Sequence, residues 1–549
     1  MYFIFAALAL LPTPAEGLTV WVTHGSERVF QHTPPGKQRT ARLQAARNEY
    51  EPFQIALRAG TETITDVTAE ASDLTGPNGA VIRRDHLTLF REHYVYLRRP
   101  SYRSEAPPGL YPEALIPFVN PLDGSELTPW DARRNPRGAK YDAVPFAVWR
   151  DWTQVLWVDV YVPSDAVPGE YRGTITIRAR NQPDLLVPIE LTVWDFTLPT
   201  MPTVRSHFGS FSRIAPAHGV EPGSPEYRVI ERRYCQALAD HRITPPIPRH
   251  LYPAVKEDGS IDPSATHEEL AQYMADLRVN AFPLRWPPFK DPLGADREKA
   301  KRYLASFYEY LQENGWAEGA YLYILDEPND AEAYEQVRRR AALVHEAHPQ
   351  IRVLCTEQTK PSNPAWGDLN EAVDIWVPLW PLHDEETAAQ RLAAGDELWS
   401  YTALCQGPQP SPWWQIDFPV LNYRLPLWLN FRYHMTGLLY WTTVYWGHVR
   451  DPWLDQPSFR LAYNGEGMLF YPGGDAGFDG PVTSIRLKNI REGMEDYEYF
   501  HLLVQRGEQE FVEREVRALA RSWFDWEKDP TVLLATRARL AQRIMGRQR

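Results

Sequence analysis

Between residues 203 and 483, short apolar runs alternate with segments of helical periodicity, and this alternation limits the possible fold more than any other feature. The runs lie at 204–209, 243–248, 279–285, 321–325, 352–357, 374–380, 398–405 and 437–446. Helical segments at 225–240, 267–277, 295–314 and 331–348 separate the early ones. Parallel strands need long crossover connections, usually helices, and a helix after each strand covers the sheet. Eight strands alternating with helices over about 280 residues predict a (β/α)8 TIM-type barrel. Gly467-Met-Leu-Phe-Tyr471 is the alternative closing strand.

The rest of the chain divides around this repeat. Residues 18–200 carry strand-length runs such as Phe53-Gln-Ile-Ala-Leu, Val155-Leu-Trp-Val-Asp-Val-Tyr-Val and Gly173-Thr-Ile-Thr-Ile, parted by turn chemistry such as Pro168-Gly169. No long helical periodicity interrupts them, so an N-terminal all-β sandwich is expected. A Pro-, Arg- and aromatic-rich stretch at about 100–150 reads as an insertion lying over a neighbouring domain. Residues 484–549 place apolar side chains at helical spacing and predict a helical C-terminal extension packed on the barrel. Residues 1–17 open with an apolar block and then Pro-Thr-Pro-Ala15. That block is too short to span a bilayer and is expected to be a signal peptide, cleaved near Ala15, for a secreted or periplasmic protein.

One strand end carries the chemistry. Tyr321-Leu-Tyr-Ile-Leu runs directly into Asp326-Glu327-Pro328-Asn329. Proline stops the strand there, and the carboxyl ends of barrel strands are where catalytic side chains sit. A helix cap accounts for Asp330 ahead of Ala331 but not for two acids at the strand tip. Glu327 is the candidate general acid on the fourth predicted strand. Glycosidases ordinarily set a second carboxylate across the sugar. The seventh predicted strand ends Ala403-Leu-Cys405-Gln406-Gly407, without one. Adjacent residues approach a sugar from nearly the same side, so Asp326 is a poor nucleophile. A substrate that supplies its own nucleophile, the 2-acetamido carbonyl, needs one acid/base (Glu327) and one group to hold the acetamido N–H (Asp326).

Composition narrows the partners. A formal charge of −13 with acids and bases interspersed gives no basic face for nucleic acid or an anionic membrane. The three cysteines make no disulfide framework and no zinc spacing, and no His/Asp/Glu cluster has metal-ligand spacing, so neither cofactor nor metal is expected. Twenty Trp and 28 Tyr provide flat faces suited to sugar rings as well as core. Expected partners are thus a glycan or glycoconjugate substrate, with no nucleic acid and no membrane insertion.

Several stretches resemble glycoside hydrolase family 123, the secreted β-N-acetylgalactosaminidases, and its bacterial relatives. They are Ala46-Arg-Asn-Glu-Tyr-Glu-Pro-Phe-Gln54, Val162-Pro-Ser-Asp-Ala-Val-Pro-Gly-Glu-Tyr-Arg-Gly173, Asp326-Glu327-Pro328, Gly437-Leu-Leu-Tyr-Trp441 and Ser484-Ile-Arg-Leu-Lys-Asn-Ile-Arg-Glu-Gly-Met-Glu-Asp-Tyr-Glu-Tyr499. The last is long and specific. The resemblance implies a sandwich plus barrel, a retaining substrate-assisted exo-β-N-acetylhexosaminidase preferring N-acetylgalactosamine, Glu327 as acid/base and Asp326 as acetamido holder.

Further substrate-binding candidates come from strand tips and turns. Trp380, Trp441 and Trp446 either wall a subsite or belong to the core. Arg285 and Glu357 end the third and fifth predicted strands, Glu357 being equally suited to a helix cap. Asn464 and Glu466 sit in a glycine-rich turn near the barrel mouth. Arg486, Arg491 and Glu495 are most simply an ion-paired helix docked on the barrel. His207 and His250 are lone histidines read as satisfied structure. Two alternatives stand beside the leading reading. One is a glycosidase acting on a non-acetamido sugar through Glu327 and a distant carboxylate, Glu357 or Glu466. The other is a non-catalytic carbohydrate-binding protein on a hydrolase scaffold.

Overall fold

A computed structural model describes residues 17–546 apart from 136–137, 212, 408, 447–448, 450 and 455–456. The expected signal peptide therefore lies almost wholly outside the described residues. Among those described, no helix is long and apolar enough to cross a membrane.

The N-terminal part is a sandwich of two sheets, as the strand-length runs predict. One sheet orders Leu18–His24, Glu49–Ala59, Thr153–Val162, Leu87–Leu97 and Gly109–Pro117, all antiparallel. The other is built on Ala41–Arg47, Leu185–Thr197, Gly169–Arg178, Ile64–Ala71 and Phe146–Val148, its first pair parallel. Period-2 alternation sends Phe53, Ile55, Leu57, Val158 and Val160 inward against Ile175, Ile177, Val187, Ile189 and Leu191. The opposite face of the first sheet, including Phe90 and Trp157, joins the core of the rest of the molecule.

The second part is a curled parallel sheet of seven strands. They are β1 (Arg205–His207), β2 (Phe282–Leu284), β3 (Ala320–Leu325), β4 (Arg352–Cys355), β5 (Ile375–Trp376), β6 (Glu397–Tyr401) and β7 (Met435–Leu439). Their order is β1-β7-β6-β5-β4-β3-β2, every pair parallel. The expected closed eight-stranded barrel is not formed among the described residues, because segment 243–248 is not a strand. Pro245, Pro246 and Pro248 leave too few N–H groups for a ladder. Side chains bridge the gap instead. Thr244 N donates to Ser206 Oγ at 2.8 Å, Thr244 Oγ1 donates to Asn280 Oδ1, and Asn280 Nδ2 donates to Val204 O at 3.0 Å. Nor does the 467–471 run close the sheet, since Phe470–Pro472 pairs with Pro481–Thr483 in a separate ribbon.

Along β3 the side chains divide cleanly. Leu322 and Ile324 face the main core, while Tyr321 and Tyr323 join a smaller cluster with Leu354, Ile375, Trp399 and Leu439. That cluster lines the concave side of the sheet and supports the candidate site.

The C-terminal extension differs from a helix docked by one face. Its first helix, Ile485–Gln505, is capped by Ser484 Oγ, which accepts from Leu487 N, and is buried almost all round. It is wedged between sandwich and sheet, touching Gly109–Pro117 and Glu49–Ala59 on one side and Leu421–Arg424 and Pro426–Arg432 on the other. Its charges are paired inside: Arg486 with Glu113 at 2.7 Å, Lys488 and Arg491 with Asp159 at 2.7 and 3.0 Å, and Asp496 with Arg424 at 2.6 Å. The predicted ion-paired role of Arg486 and Arg491 thus describes a buried junction, with Glu495 accepting from Tyr50 N at 3.1 Å. The insertion does reach its neighbour, where the Asp417 carboxylate accepts from Ser101 Oγ at 2.6 Å.

Candidate active site

Asp326 and Glu327 emerge from the C-terminal end of β3 on the rim of a cavity of about 390 Å³. Glu327 has φ +42°, a left-handed backbone that a non-glycine residue adopts at some cost. The turn is stabilised from just past β4, where Thr356 Oγ1 accepts from Glu327 N at 2.9 Å.

The two carboxylates have separate partners. Asp326 Oδ1 accepts from Tyr323 Oη at 2.7 Å and from Thr356 Oγ1 at 2.8 Å. Glu327 Oε1 accepts from Tyr401 Oη, at the end of β6, at 2.5 Å. Burial first, and the neighbouring carboxylates second, push both tyrosine hydroxyls above the ordinary phenol range, so both remain donors. The strand expected to lack a carboxylate therefore presents a hydroxyl to Glu327 instead.

Around the pair, Leu439 and Trp441 come from the end of β7, and Ala403, Leu404 and Gln406 from the loop after β6. His207, at the tip of β1, completes the wall. Its Nδ1 lies 2.7 Å from Tyr321 Oη, so it is satisfied structure as expected, yet it also faces the cavity. Burial pushes its imidazole down to about 4, against the pull of Asp326, which leaves the ring neutral at neutral pH. Tyr323, Thr356, Tyr401 and Gln406 escaped sequence reasoning. The only trace of Tyr401 was its place within an apolar run.

Of the other predicted substrate-binding residues, only Trp441 lines the cavity. Glu466 is fully buried behind it and accepts from Trp441 Nε1 at 2.7 Å, so it acts on the wall through the indole. Asn464 is buried, donating to Arg99 O at 2.9 Å. The glycine-rich turn does form, with Gly465 and Gly467 at φ +74° and +71°. A Cβ on Gly467 would stand 2.6 Å from the Trp441 ring. Trp380 and Trp446 are core: Trp380 donates to Ser400 Oγ and stacks on Trp523, and Trp446 donates to Phe470 O. Glu357 turns away to Tyr334 Oη at 2.9 Å, and burial, helped by the nearby Glu327 charge, pushes it up to about 7. Arg285 packs over the Tyr252 ring, its guanidinium carbon 3.9 Å from the centroid. His250 faces Glu269, away from the cavity.

Comparison with known proteins agrees with this architecture. The Glycoside hydrolase 123 N-terminal domain model matches residues 26–179, and the Glycoside hydrolase 123 catalytic domain model matches residues 289–503. The chain belongs to glycoside hydrolase family 123. The catalytic match takes in β3 to β7 and nearly all of the buried Ile485–Gln505 helix.

A solved family 123 glycoside hydrolase from Clostridium perfringens, described for its hydrolysis of glycolipid glycans, superposes with a TM-score of 0.70 at 14% identity. That likeness spans 96% of this chain and 98% of that one, and at such identity it shows a shared fold. A xyloglucanase from Bacteroides ovatus (TM-score 0.29, 8% identity, 87% of this chain and 100% of that one) is too distant to carry weight. The same holds for an α-L-arabinofuranosidase from Thermotoga maritima (0.31, 10%, 53% and 70%). No curated protein sequence matches the chain.

Proposed function

We propose that this family 123 glycoside hydrolase is a retaining exo-β-N-acetylhexosaminidase that uses the 2-acetamido group of its substrate as nucleophile. The observation that carries the reading is the cavity wall itself. Asp326 and Glu327 are its carboxylates, adjacent and separately anchored, and among the described residues the lining opposite includes no third. Glu357 and Glu466, the distant carboxylates of the competing glycosidase reading, are buried and engaged elsewhere.

In the first step the Glu327 carboxyl gives its proton to the glycosidic oxygen as the C1–O bond breaks. The acetamido carbonyl oxygen attacks C1 from the opposite face and closes an oxazoline. Asp326, oriented by Tyr323 and Thr356, accepts a hydrogen bond from the acetamido N–H and stabilises the positive charge that develops there. In the second step the Glu327 carboxylate takes a proton from a water that attacks C1. The oxazoline reopens, and two inversions leave the anomeric configuration retained.

N-acetylgalactosamine is the sugar indicated by the family resemblance, and a glycolipid or other glycoconjugate glycan fits the description of the Clostridium perfringens relative. We read residues 1–17 as a signal peptide for export, 18–200 as the sandwich, 203–483 as the catalytic part and 484–549 as the helical extension. The deciding experiment measures 4-nitrophenol release from the β-N-acetylgalactosaminide by wild type, Glu327→Gln and Asp326→Asn. Both variants are expected to lose on the order of 10²–10⁴-fold in kcat, as for removal of a general acid/base. Full activity in both removes the assignment.

A further inference from the structure

A second cavity, of about 210 Å³, opens in the sandwich and shares no residue with the catalytic cleft. Its rim is the turn Trp149-Arg150-Asp151-Trp152, which leads into the Thr153–Val162 strand. Trp152 N donates to Trp149 O at 2.9 Å, and Asp151, at φ +62°, donates from its N to Gly60 O at 3.0 Å. The turn is therefore closed on itself and tied to the sheet, which pre-organises what it displays. It displays two indoles: Trp149 is 58% exposed and Trp152 38%. A tryptophan left in water forgoes the burial that ordinarily stabilises it, and two on one tied turn leave apolar surface exposed at the rim of the cavity.

Beside the indoles the wall is polar. Gln31, Thr153 and Gln154 contribute, and Glu92 lies among them, 1% exposed. Among the described residues neither Glu92 carboxyl oxygen has a hydrogen-bond partner. Burial pushes this acid up to about 8, so at neutral pH it is largely a carboxyl that both donates and accepts. A buried polar group without a partner is costly, on the order of 1–3 kcal/mol, and its retention calls for an explanation.

We propose that this cavity is a second, non-catalytic carbohydrate site, in which Trp149 and Trp152 take the apolar face of a neutral pyranose and the polar wall of Gln31 and Gln154, backed by the buried Glu92, meets its hydroxyls. A pyranose presents both surfaces at once, a C–H face and an equatorial fringe of donors and acceptors. Nucleobases stack equally well on indoles, but the overall charge of −13 disfavours a polyanion. The site tethers the enzyme to a glycan whose terminal sugar is elsewhere in the cleft, and so raises its local concentration.

The test uses the full chain carrying Glu327→Gln, so that no glycan is cleaved, on an array of neutral oligosaccharides of two to six sugars with and without 2-acetamido groups. Binding is expected to at least one glycan, to weaken at least tenfold in Trp149→Ala and in Trp149→Ala/Trp152→Ala, and to survive Trp441→Ala. Trp149→Ala alters a mostly exposed side chain, and an unchanged thermal midpoint verifies its fold. No glycan binding, binding unaffected by Trp149→Ala, or binding lost only with Trp441→Ala overturns the proposal. Because no hydrolysis is read, its failure is independent of the catalytic assignment.

Discussion

Tyr401 Oη donates to Glu327 Oε1 at 2.5 Å from a strand end 74 residues away in the chain. The bond joins β6 to the tip of β3 across the concave face, and it holds one carboxylate oxygen of Glu327 in place at the rim of the cleft. Tyr401→Phe keeps the ring and removes the donor. We expect kcat to fall roughly 10–100-fold with KM changed less than threefold, the pattern for an interaction that matters more in the transition state than in the ground state. Steady-state kinetics on an aryl glycoside reads this directly, and an unchanged kcat denies Tyr401 a role.

The division of labour between the adjacent acids separates binding from proton transfer. A thiazoline analogue of the oxazoline intermediate carries the ring that Asp326 would hold. Asp326→Asn is expected to weaken its inhibition at least tenfold, whereas Glu327→Gln retains most of it. Calorimetric titration of both variants decides, and equal losses would merge the two roles.

Glu466 reaches the cleft only through Trp441. Glu466→Gln and Trp441→Phe should each raise KM several-fold, and the double variant should do little more than either alone, since contacting groups are not additive. Fully additive effects count against the coupling.

His207 makes one acid-side contribution to stability. An unfolded imidazole titrates near 6.5 and this one near 4, so folding favours the neutral ring. The stabilisation is complete above the unfolded value and is lost as pH falls from 6.5 towards 4, about 3 kcal/mol at the lower limit. Urea unfolding at several pH values should show a shallower acid loss in His207→Gln than in wild type. Parallel pH slopes refute it.

Arg486 and Glu113 are both fully buried and tie the extension to the sandwich. Arg486→Met leaves Glu113 charged without its partner and is expected to lower stability by about 3–5 kcal/mol. The double variant Arg486→Met/Glu113→Leu should recover much of that loss, as hydrophobic replacements of whole buried pairs often do.

Seven of the eight predicted parallel strands form, because runs such as Tyr321–Leu325 carry the near-continuous apolar character that a sheet buried on both faces requires. The eighth fails on local chemistry that was visible in the residues: three prolines in 243–248 cannot feed a ladder. The buried Ile485–Gln505 helix was legible as a helix but not as a junction. Its Arg, Lys, Glu and Asp residues look solvated in sequence, and only their partners in distant strands make burial tolerable.

The candidate site divides the same way. Sequence alone located Asp326 and Glu327, because a strand that ends in two acids and a proline sets them at the edge of a sheet wherever that sheet is. It did not reveal Tyr323, Thr356, Tyr401 or His207 as their neighbours, nor remove Trp380 and Trp446 from the list. A hydroxyl or an indole in an apolar strand has the same periodicity whether it faces the core or the cleft. That choice is made by the curl of the sheet, which brings the ends of β1, β3, β4, β6 and β7 together and turns one face of each into a common wall.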